Sequence, residues 1–267
     1  MSPLAGAIAG CAALAALCWL LSVATREASW VDRLWSIAPP LYVGWFAWSH
    51  PDTRLLVMTG LAVMWGARLT YNFARKGGYA AGGEDYRWRE LRGKMSGIQW
   101  QLFNLFFIAS YQNGLLLLLT LPAWVASRHA APLGALDAVA AALFLAFLAG
   151  ETVADQQQWR FQEDKKARRA RRQAVEHEFL TTGLFRYSRH PNFFCEIAMW
   201  WSFYLFSVGA GAGWLNPSIL GPALLTLLFH GSTAFTEKIT LRKYPAYAAY
   251  QATVSRLVPL PAKRGHT

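Results

Sequence analysis

Long apolar runs separated by short polar segments dominate this chain of 267 residues. A helix needs about 20 mainly apolar residues to cross a bilayer. Seven runs approach that length, at residues 3–24, 35–50, 54–73, 100–122, 133–155, 193–212 and 216–236. The pattern predicts an all-α integral membrane protein with about seven transmembrane helices, forming a single domain over residues 1–267. The first run lacks a basic leading segment, so we expect an uncleaved helix.

The composition also indicates a lipid solvent. Hydrophobic residues make up 54% of the chain and charged residues only 15%, against about 25% in soluble domains. In a soluble protein the net charge of +11 would suggest nucleic acid. Here we expect anionic lipid or an anionic cofactor instead, and no nucleic acid. The three cysteines have no metal-ligand spacing, so we expect no metal site.

The basic residues are distributed unevenly over the predicted loops. Of 26 Lys and Arg residues, 23 lie in segments 24–34, 74–99, 156–192 and 237–267. The opposite side holds Arg54 and Arg128, and Arg68 lies inside a run. Basic loops stay in the cytoplasm, which predicts an N-out, C-in orientation with the active site on the cytoplasmic side. We expect a multi-pass protein of the bacterial inner membrane.

Polar residues are densest at positions 181–196. Arg189 and His190 supply hydrogen-bond donors there, and Asn192 and Glu196, four residues apart, share one face of the helix that follows. A carboxylate about one turn into an apolar span is costly and marks a functional site by default. The alternative is that the basic residues anchor the helix at the lipid headgroups while Glu196 reaches toward water.

The stretch GLFRYSRHPNF at residues 183–193 resembles the C-terminal signature of the steroid 5α-reductase superfamily, including its bacterial, DUF1295-like membrane branch. It is also similar to the isoprenylcysteine carboxyl methyltransferases, which bind S-adenosylmethionine. The segments 31–36, 65–69 and 83–88 look like the reductase branch. Cys195 departs from the pattern, which has Gly before the Glu. The resemblance covers residues 28–260.

This resemblance implies NADPH-dependent reduction of the C4–C5 double bond of a 3-oxo-Δ4 steroid or similar lipid enone, which is 3-oxo-5α-steroid 4-dehydrogenase chemistry. Helices within residues 1–125 would face the substrate, and those within 133–260 would bind the cofactor. An apolar, steroid-like substrate would enter from the lipid bilayer, and we expect a monomer. Two alternatives stay open: an S-adenosylmethionine-dependent methyltransferase and a membrane scaffold without catalysis.

An arginine side chain can bind a phosphate through two parallel hydrogen bonds. The sequence contains no Gly-x-Gly-x-x-Gly motif, so we expect that any nucleotide site is not a Rossmann site. The predicted NADPH-binding residues are Arg68, Arg75, Lys76, Asp155, Arg186, Tyr187, Arg189, His190, Asn192, Glu196, Glu237 and Tyr244.

Asp32 and Tyr86 are the predicted catalytic residues, which would polarise the substrate carbonyl. Asp32 could instead cap a helix or pair with Arg33. Arg68 could instead form a structural pair with Glu84, Asp85 or Asp155, and the run 168–172 is predicted to anchor lipid headgroups.

Overall fold

The computed structural model describes residues 2–129, 131–175 and 177–263. Every regular element in these ranges is helical, which confirms the all-α prediction. Arg264, counted above among the basic residues, lies outside the described residues. The α-helices are α1 (Pro3–Thr25), α2 (Trp30–Leu34), α3 (Ala38–Ser49), α4 (Thr53–Arg75), α5 (Tyr86–Arg92), α6 (Gly97–Phe103), α7 (Gln112–Ala126), α8 (Ala135–Ala170), α9 (Pro191–Ser207), α10 (Leu220–Lys243) and α11 (Tyr247–Thr253).

Shorter helical segments continue several of these helices. A π-helix at Asn104–Tyr111 joins α6 to α7, and a second at Val208–Ala212 follows α9. Short 3-10 turns occur at Gly183–Arg186 and Pro217–Ile219.

In the described part of the chain, five helical segments are long and apolar enough to cross a membrane: Pro3–Thr25, Gly97–Ala126, Ala135–Ala170, Pro191–Ala212 and Pro217–Lys243. The protein is therefore a multi-pass membrane protein. The other two predicted spans correspond to α3, with only 12 residues, and α4, with 23 residues. The Pro39-Pro40 pair lies at the start of α3, where proline is tolerated because the first helical N–H groups have no partner within the helix.

The chain forms two compact units, each built from separated stretches. Unit 1 contains Met1–Ala142 and Trp200–Leu225, and unit 2 contains Leu143–Met199 and Thr226–Thr267. Each unit thus contains residues from more than one of the predicted membrane-spanning runs. The assignment of substrate and cofactor to residues 1–125 and 133–260 stays a prediction.

Close packing in unit 1 depends on small residues beside large ones. Trp65 of α4 is fully buried and meets Trp200 edge-to-face, with ring centroids 4.9 Å apart. At the next position, a Cβ on Gly66 would lie 2.4 Å from the carbonyl oxygen of Ser36. Only glycine fits there, which explains the Trp-Gly sequence in α4.

A buried ion pair holds one end of unit 1 together. The Arg54 guanidinium donates to both carboxylate oxygens of Asp137, from Nε at 2.7 Å and from Nη2 at 3.0 Å. It also donates to the carbonyl oxygens of Ala131, Pro132 and Gly209, at 2.8, 2.9 and 3.3 Å. The Arg54 side chain is only 2% exposed. Arg54 therefore stabilises this end of unit 1 and does not lie in an outer loop.

Two of the four arginines in the basic run 168–172, at the end of α8, form ion pairs within unit 2. With a rise of 1.5 Å per residue, the 36 residues of α8 span about 54 Å, well beyond the hydrocarbon core of about 30 Å. Ion pairs with Asp164 and Glu178 engage Arg168 and Arg169. The predicted contact with lipid headgroups therefore remains for Arg171 and Arg172, which are exposed.

Replacing Arg54 by methionine should destabilise the protein strongly, because it leaves the Asp137 carboxylate buried without its cation, a loss of about 3–5 kcal/mol. The melting temperature in detergent should fall far more than in the control Arg128→Met, which changes an exposed arginine. Combining Arg54→Met with Asp137→Leu should recover part of the loss. A melting temperature for Arg54→Met equal to that of the control would contradict this role.

Candidate functional site

Glu237 of α10 is the centre of a hydrogen-bonded cluster in unit 2. Arg189 donates to it through two parallel bonds, Nε to Oε1 at 2.6 Å and Nη2 to Oε2 at 2.9 Å. The His190 Nε2 lies 3.1 Å from Oε1, and Gln251 Nε2 donates to Oε2 at 2.9 Å. Both members of the Arg189–Glu237 pair have side chains under one-tenth exposed. Bidentate pairs of this kind are among the strongest charge-assisted hydrogen bonds.

The structure therefore brings together three predicted site residues, Arg189, His190 and Glu237, but pairs them with one another. Arg189 Nη1 also donates to the carbonyl oxygens of Gln251, at 3.0 Å, and Val254. Its charge is balanced inside the protein, so its direct role is to hold the polar segment in place. Gln251 was missed by the sequence analysis because it lies on α11, far along the chain from residues 181–196.

The C-terminal tail fixes the backbone of the polar segment. Arg189 N donates to the carbonyl of Ser255 at 2.8 Å, and Leu260 N donates to the carbonyl of Tyr187 at 2.9 Å. The buried Ser188 hydroxyl donates to the carbonyl of Leu257 at 2.7 Å. These bonds satisfy backbone groups that would otherwise be buried without partners, so residues 187–190 have a defined position before α9 begins.

Gly183 is required at the start of the same segment. Its φ of +63° lies in the left-handed region, and a Cβ there would lie 2.5 Å from the side-chain oxygen of Gln157. That oxygen accepts a hydrogen bond from the Leu184 N–H at 3.0 Å. Glycine therefore allows α8 to bind the backbone of the 3-10 turn directly.

Buried acidic residues lie on α8 and α9 of unit 2. Glu151 and Asp155, four residues apart on α8, and Glu196 on α9 are each 4% exposed. The Asn192 amide donates to Asp155 Oδ1 at 3.4 Å, which joins the two helices. Burying carboxylates in helices that cross a membrane is costly and marks a functional site. We call Glu151, Asp155, Asn192 and Glu196 the acidic cluster.

Three of these four residues were predicted, and Glu151 was missed. Its position one turn before Asp155 in an apolar run was the available signal. The unusual Cys195 is accommodated locally, because a Cβ on Gly150 would lie only 2.9 Å from its Sγ. Glycine at 150 therefore leaves room for the Cys195 thiol.

Other predicted cofactor residues of unit 2 have separate surroundings. The exposed Arg186 places its guanidinium 5.3 Å from the centroid of the Tyr187 ring. The Tyr244 hydroxyl lies 3.3 Å from Nζ of Lys165, which also pairs with Glu178 at 2.7 Å. Although burial opposes ionisation of Tyr244, hydrogen bonds from Lys165, Lys243 and Arg169 outweigh it and lower its pKa.

In unit 1, the predicted phosphate ligands lie near the end of α4. Arg75 donates from Nε and Nη2 to the side-chain oxygen of Asn72, at 3.0 and 2.8 Å. Arg68 lies two turns earlier, and Lys76 is exposed just beyond the helix. Two of the residues suggested as ion-pair partners of Arg68 form ion pairs with other arginines: Glu84 pairs with Arg92 and Asp85 with Arg87.

Asp32 accepts a hydrogen bond from the indole N–H of Trp88 at 3.0 Å. Arg33, its suggested ion-pair partner, instead pairs with Glu27 at 2.7 Å. Burial, followed by the nearby Asp85 carboxylate, raises the pKa of Asp32. Tyr86, the other predicted catalytic residue, begins α5 and is 48% exposed. Trp88, on the same short helix, was not among the predicted site residues.

Replacing Asp32 by asparagine should make stability less dependent on pH. A raised pKa means that the folded state favours the neutral acid, so wild-type stability falls as the pH rises through that pKa. The melting temperature of Asp32→Asn relative to wild type should therefore increase from pH 5 to pH 9, by on the order of 2–4 °C. Asp164→Asn, which removes an exposed partner of Arg168, should show no such trend. Parallel pH curves for wild type and Asp32→Asn would contradict the assignment.

Comparisons with known proteins identify the family of this chain. Residues 18–254 match the family described as "Protein of unknown function (DUF1295)". Uncharacterized protein C594.04c of Schizosaccharomyces pombe (strain 972 / ATCC 24843) is 39% identical over 258 residues, which cover 90% of this chain and 75% of that protein. No solved structure matches the chain. Because the family match includes α2 to α11, Asp32 and the whole acidic cluster, this chain belongs to the DUF1295 family.

Proposed function

We propose that this protein is an NADPH-dependent reductase of lipid-like enones, such as 3-oxo-Δ4 steroids. It would have seven spans in a bacterial inner membrane, with its N-terminus outside and its active site on the cytoplasmic side. The observation that carries this proposal is the acidic cluster buried in membrane-spanning helices. Asn192 lies within the segment that resembles the steroid 5α-reductase signature, and Glu196 follows that segment directly.

The chemistry of the acidic cluster fits a nucleotide with several hydroxyl groups and an amide. Carboxylates accept hydrogen bonds, and an asparagine side chain both donates and accepts them. Asp155 and Glu196 would accept from ribose hydroxyls or the carboxamide N–H, and Asn192 would orient the ring. Arg189 would act as a positioning residue through Glu237. When bound, NADPH supplies the hydride.

The residues of unit 1 that we propose as phosphate ligands are Arg68 and Arg75 of α4 and Lys76, which directly follows the helix. All three are basic, and Arg75 and Lys76 lie at the end of the helix. Such residues can hold phosphate oxygens through charge-assisted hydrogen bonds.

Within unit 1, Asp32 is our candidate for polarising the enone carbonyl. Hydride addition to the β-carbon places negative charge on the carbonyl oxygen, which needs a positioned donor. A carboxylic acid can be that donor only when it is neutral, and the raised pKa of Asp32 favours the neutral form. The Trp88 indole holds the carboxyl in one orientation. A proton from solvent or an acid such as Tyr86 would complete the reaction at the α-carbon.

One observation favours a second candidate, an S-adenosylmethionine-dependent methyltransferase. Three buried carboxylates, Glu151, Asp155 and Glu196, would suit the ammonium and sulfonium charges of that cofactor. The charge of Arg189 is already balanced by Glu237. The two cofactors carry opposite charge, so their binding separates the two functions.

NADPH should raise the melting temperature of the detergent-purified protein, because a ligand that binds only the folded state stabilises it by about 2.7 kcal/mol at 100 times its Kd. Asn192→Ala should abolish most of this shift. Gln173→Ala, which removes an exposed amide of unit 2, should leave it intact.

Oxidation of NADPH with a 3-oxo-Δ4 steroid should then be followed at 340 nm. A thermal shift with S-adenosylmethionine and none with NADPH would replace the reductase by the methyltransferase. An equal NADPH shift in Asn192→Ala and Gln173→Ala would remove the acidic cluster from the cofactor site.

A further inference from the structure

An apolar groove of about 230 Å³ lies in unit 2, and its lining includes no residue of the acidic cluster. It is lined by residues of α8, α9, the preceding polar segment and the C-terminal tail: Ala146, Phe147, Gly150, Leu184, Tyr187, Pro191, Phe194, Cys195 and Pro259. Both helices, α8 and α9, are membrane-spanning segments, so we expect the groove to face lipid.

The groove is fixed by the fold of unit 2. The Phe147 and Phe194 rings meet edge-to-face with centroids 6.0 Å apart. The hydrogen bond from Leu260 N to the Tyr187 carbonyl holds Pro259 against the groove. A preformed groove binds a flexible apolar chain without first having to order its own walls.

The apolar surface continues past the groove along the C-terminal tail. Val258 and Leu260, on either side of Pro259, are more than half exposed. Large apolar side chains exposed next to each other mark a contact with lipid or with another apolar partner. Here they border a groove between membrane-spanning helices, which favours lipid.

A cation lies beside this apolar surface. Arg186 is exposed, and its guanidinium lies 5.3 Å from the ring centroid of Tyr187, which lines the groove. Across the described ranges, no carboxylate forms an ion pair with Arg186, in contrast to Arg189 in the same segment. Tyrosine and arginine side by side are typical of the membrane–water interface, where one contacts lipid and the other a headgroup.

We propose that this groove binds one acyl chain of an anionic phospholipid, with its headgroup phosphate on Arg186. The volume suits one segment of a chain better than a whole drug-sized ligand, which occupies about 300–1,000 Å³. The charge of Arg186 favours an anionic headgroup over a zwitterionic one. This assigns Arg186 to lipid, whereas the sequence placed it at the cofactor.

Native mass spectrometry of the intact protein, with phosphatidylglycerol or phosphatidylcholine added in detergent, tests this site. Wild type should retain one phosphatidylglycerol in preference to phosphatidylcholine, by about fivefold for a single interfacial cation. Arg186→Gln should remove this preference. The matched control Arg160→Gln, which changes an exposed arginine of α8, should keep it.

Ala146→Phe tests the groove itself, because this exposed residue can become larger without displacing the core. It should reduce retention of both lipids, and Pro259→Trp should do the same from the opposite element. Ala149→Phe, on an exposed position of α8 outside the groove, should retain lipid normally. Equal melting temperatures would show that the variants fold alike.

Several outcomes would overturn the proposal. Unchanged lipid preference in Arg186→Gln would remove the headgroup contact, and unchanged retention in both Ala146→Phe and Pro259→Trp would remove the acyl site. A second copy of the chain retained in place of lipid would make the groove a dimer interface. Loss of an NADPH shift in Arg186→Gln, with lipid preference intact, would return Arg186 to the cofactor.

Discussion

The bidentate pair between Arg189 and Glu237 is the interaction on which the candidate site of unit 2 depends. It joins the segment before α9 to α10, and Gln251 extends it to α11. Most of the side-chain N–H groups of Arg189 have acceptors within the protein. The attraction within a buried ion pair offsets the free-energy cost of desolvation only when the remaining polar groups of both side chains are hydrogen-bonded. That condition fixes residues 187–190, and through them the start of the helix that carries Asn192.

Unit 1 contains a second buried, bidentate ion pair, between Arg54 and Asp137. There too an arginine fork meets a carboxylate, and three backbone carbonyls take the remaining donors. A charge in an apolar bundle is tolerated when every donor is matched, because lipid offers no water to replace a missing partner. Both pairs therefore serve structure, although each includes an arginine in a sequence where arginine suggests a phosphate ligand.

The acidic cluster is different, because it contains three buried carboxylates on the membrane-spanning helices α8 and α9. The Asn192 amide donates a hydrogen bond to Asp155 and so joins the two helices. Each buried carboxylate in a membrane-spanning helix is costly. A purely structural role does not explain three costly carboxylates in membrane-spanning segments. Carboxylates and an amide can bind the hydroxyl, amide or cationic groups of a ligand, which is why this cluster carries the proposed function.

The apolar runs were sufficient to predict the all-α membrane class, because a run of about 20 apolar residues is typical of a membrane-spanning helix. Asp155 and Glu196 were also conspicuous as charges inside or beside apolar runs, and both are buried in the structure. The pattern of apolar runs misjudged the end of α8, which continues past the apolar run because pairs such as Arg168–Asp164 support a helix in water. Which charges neutralise one another became clear from the three-dimensional structure alone. The partners of Arg54 and Arg189 lie 83 and 48 residues away, and no local pattern encodes a contact at that separation.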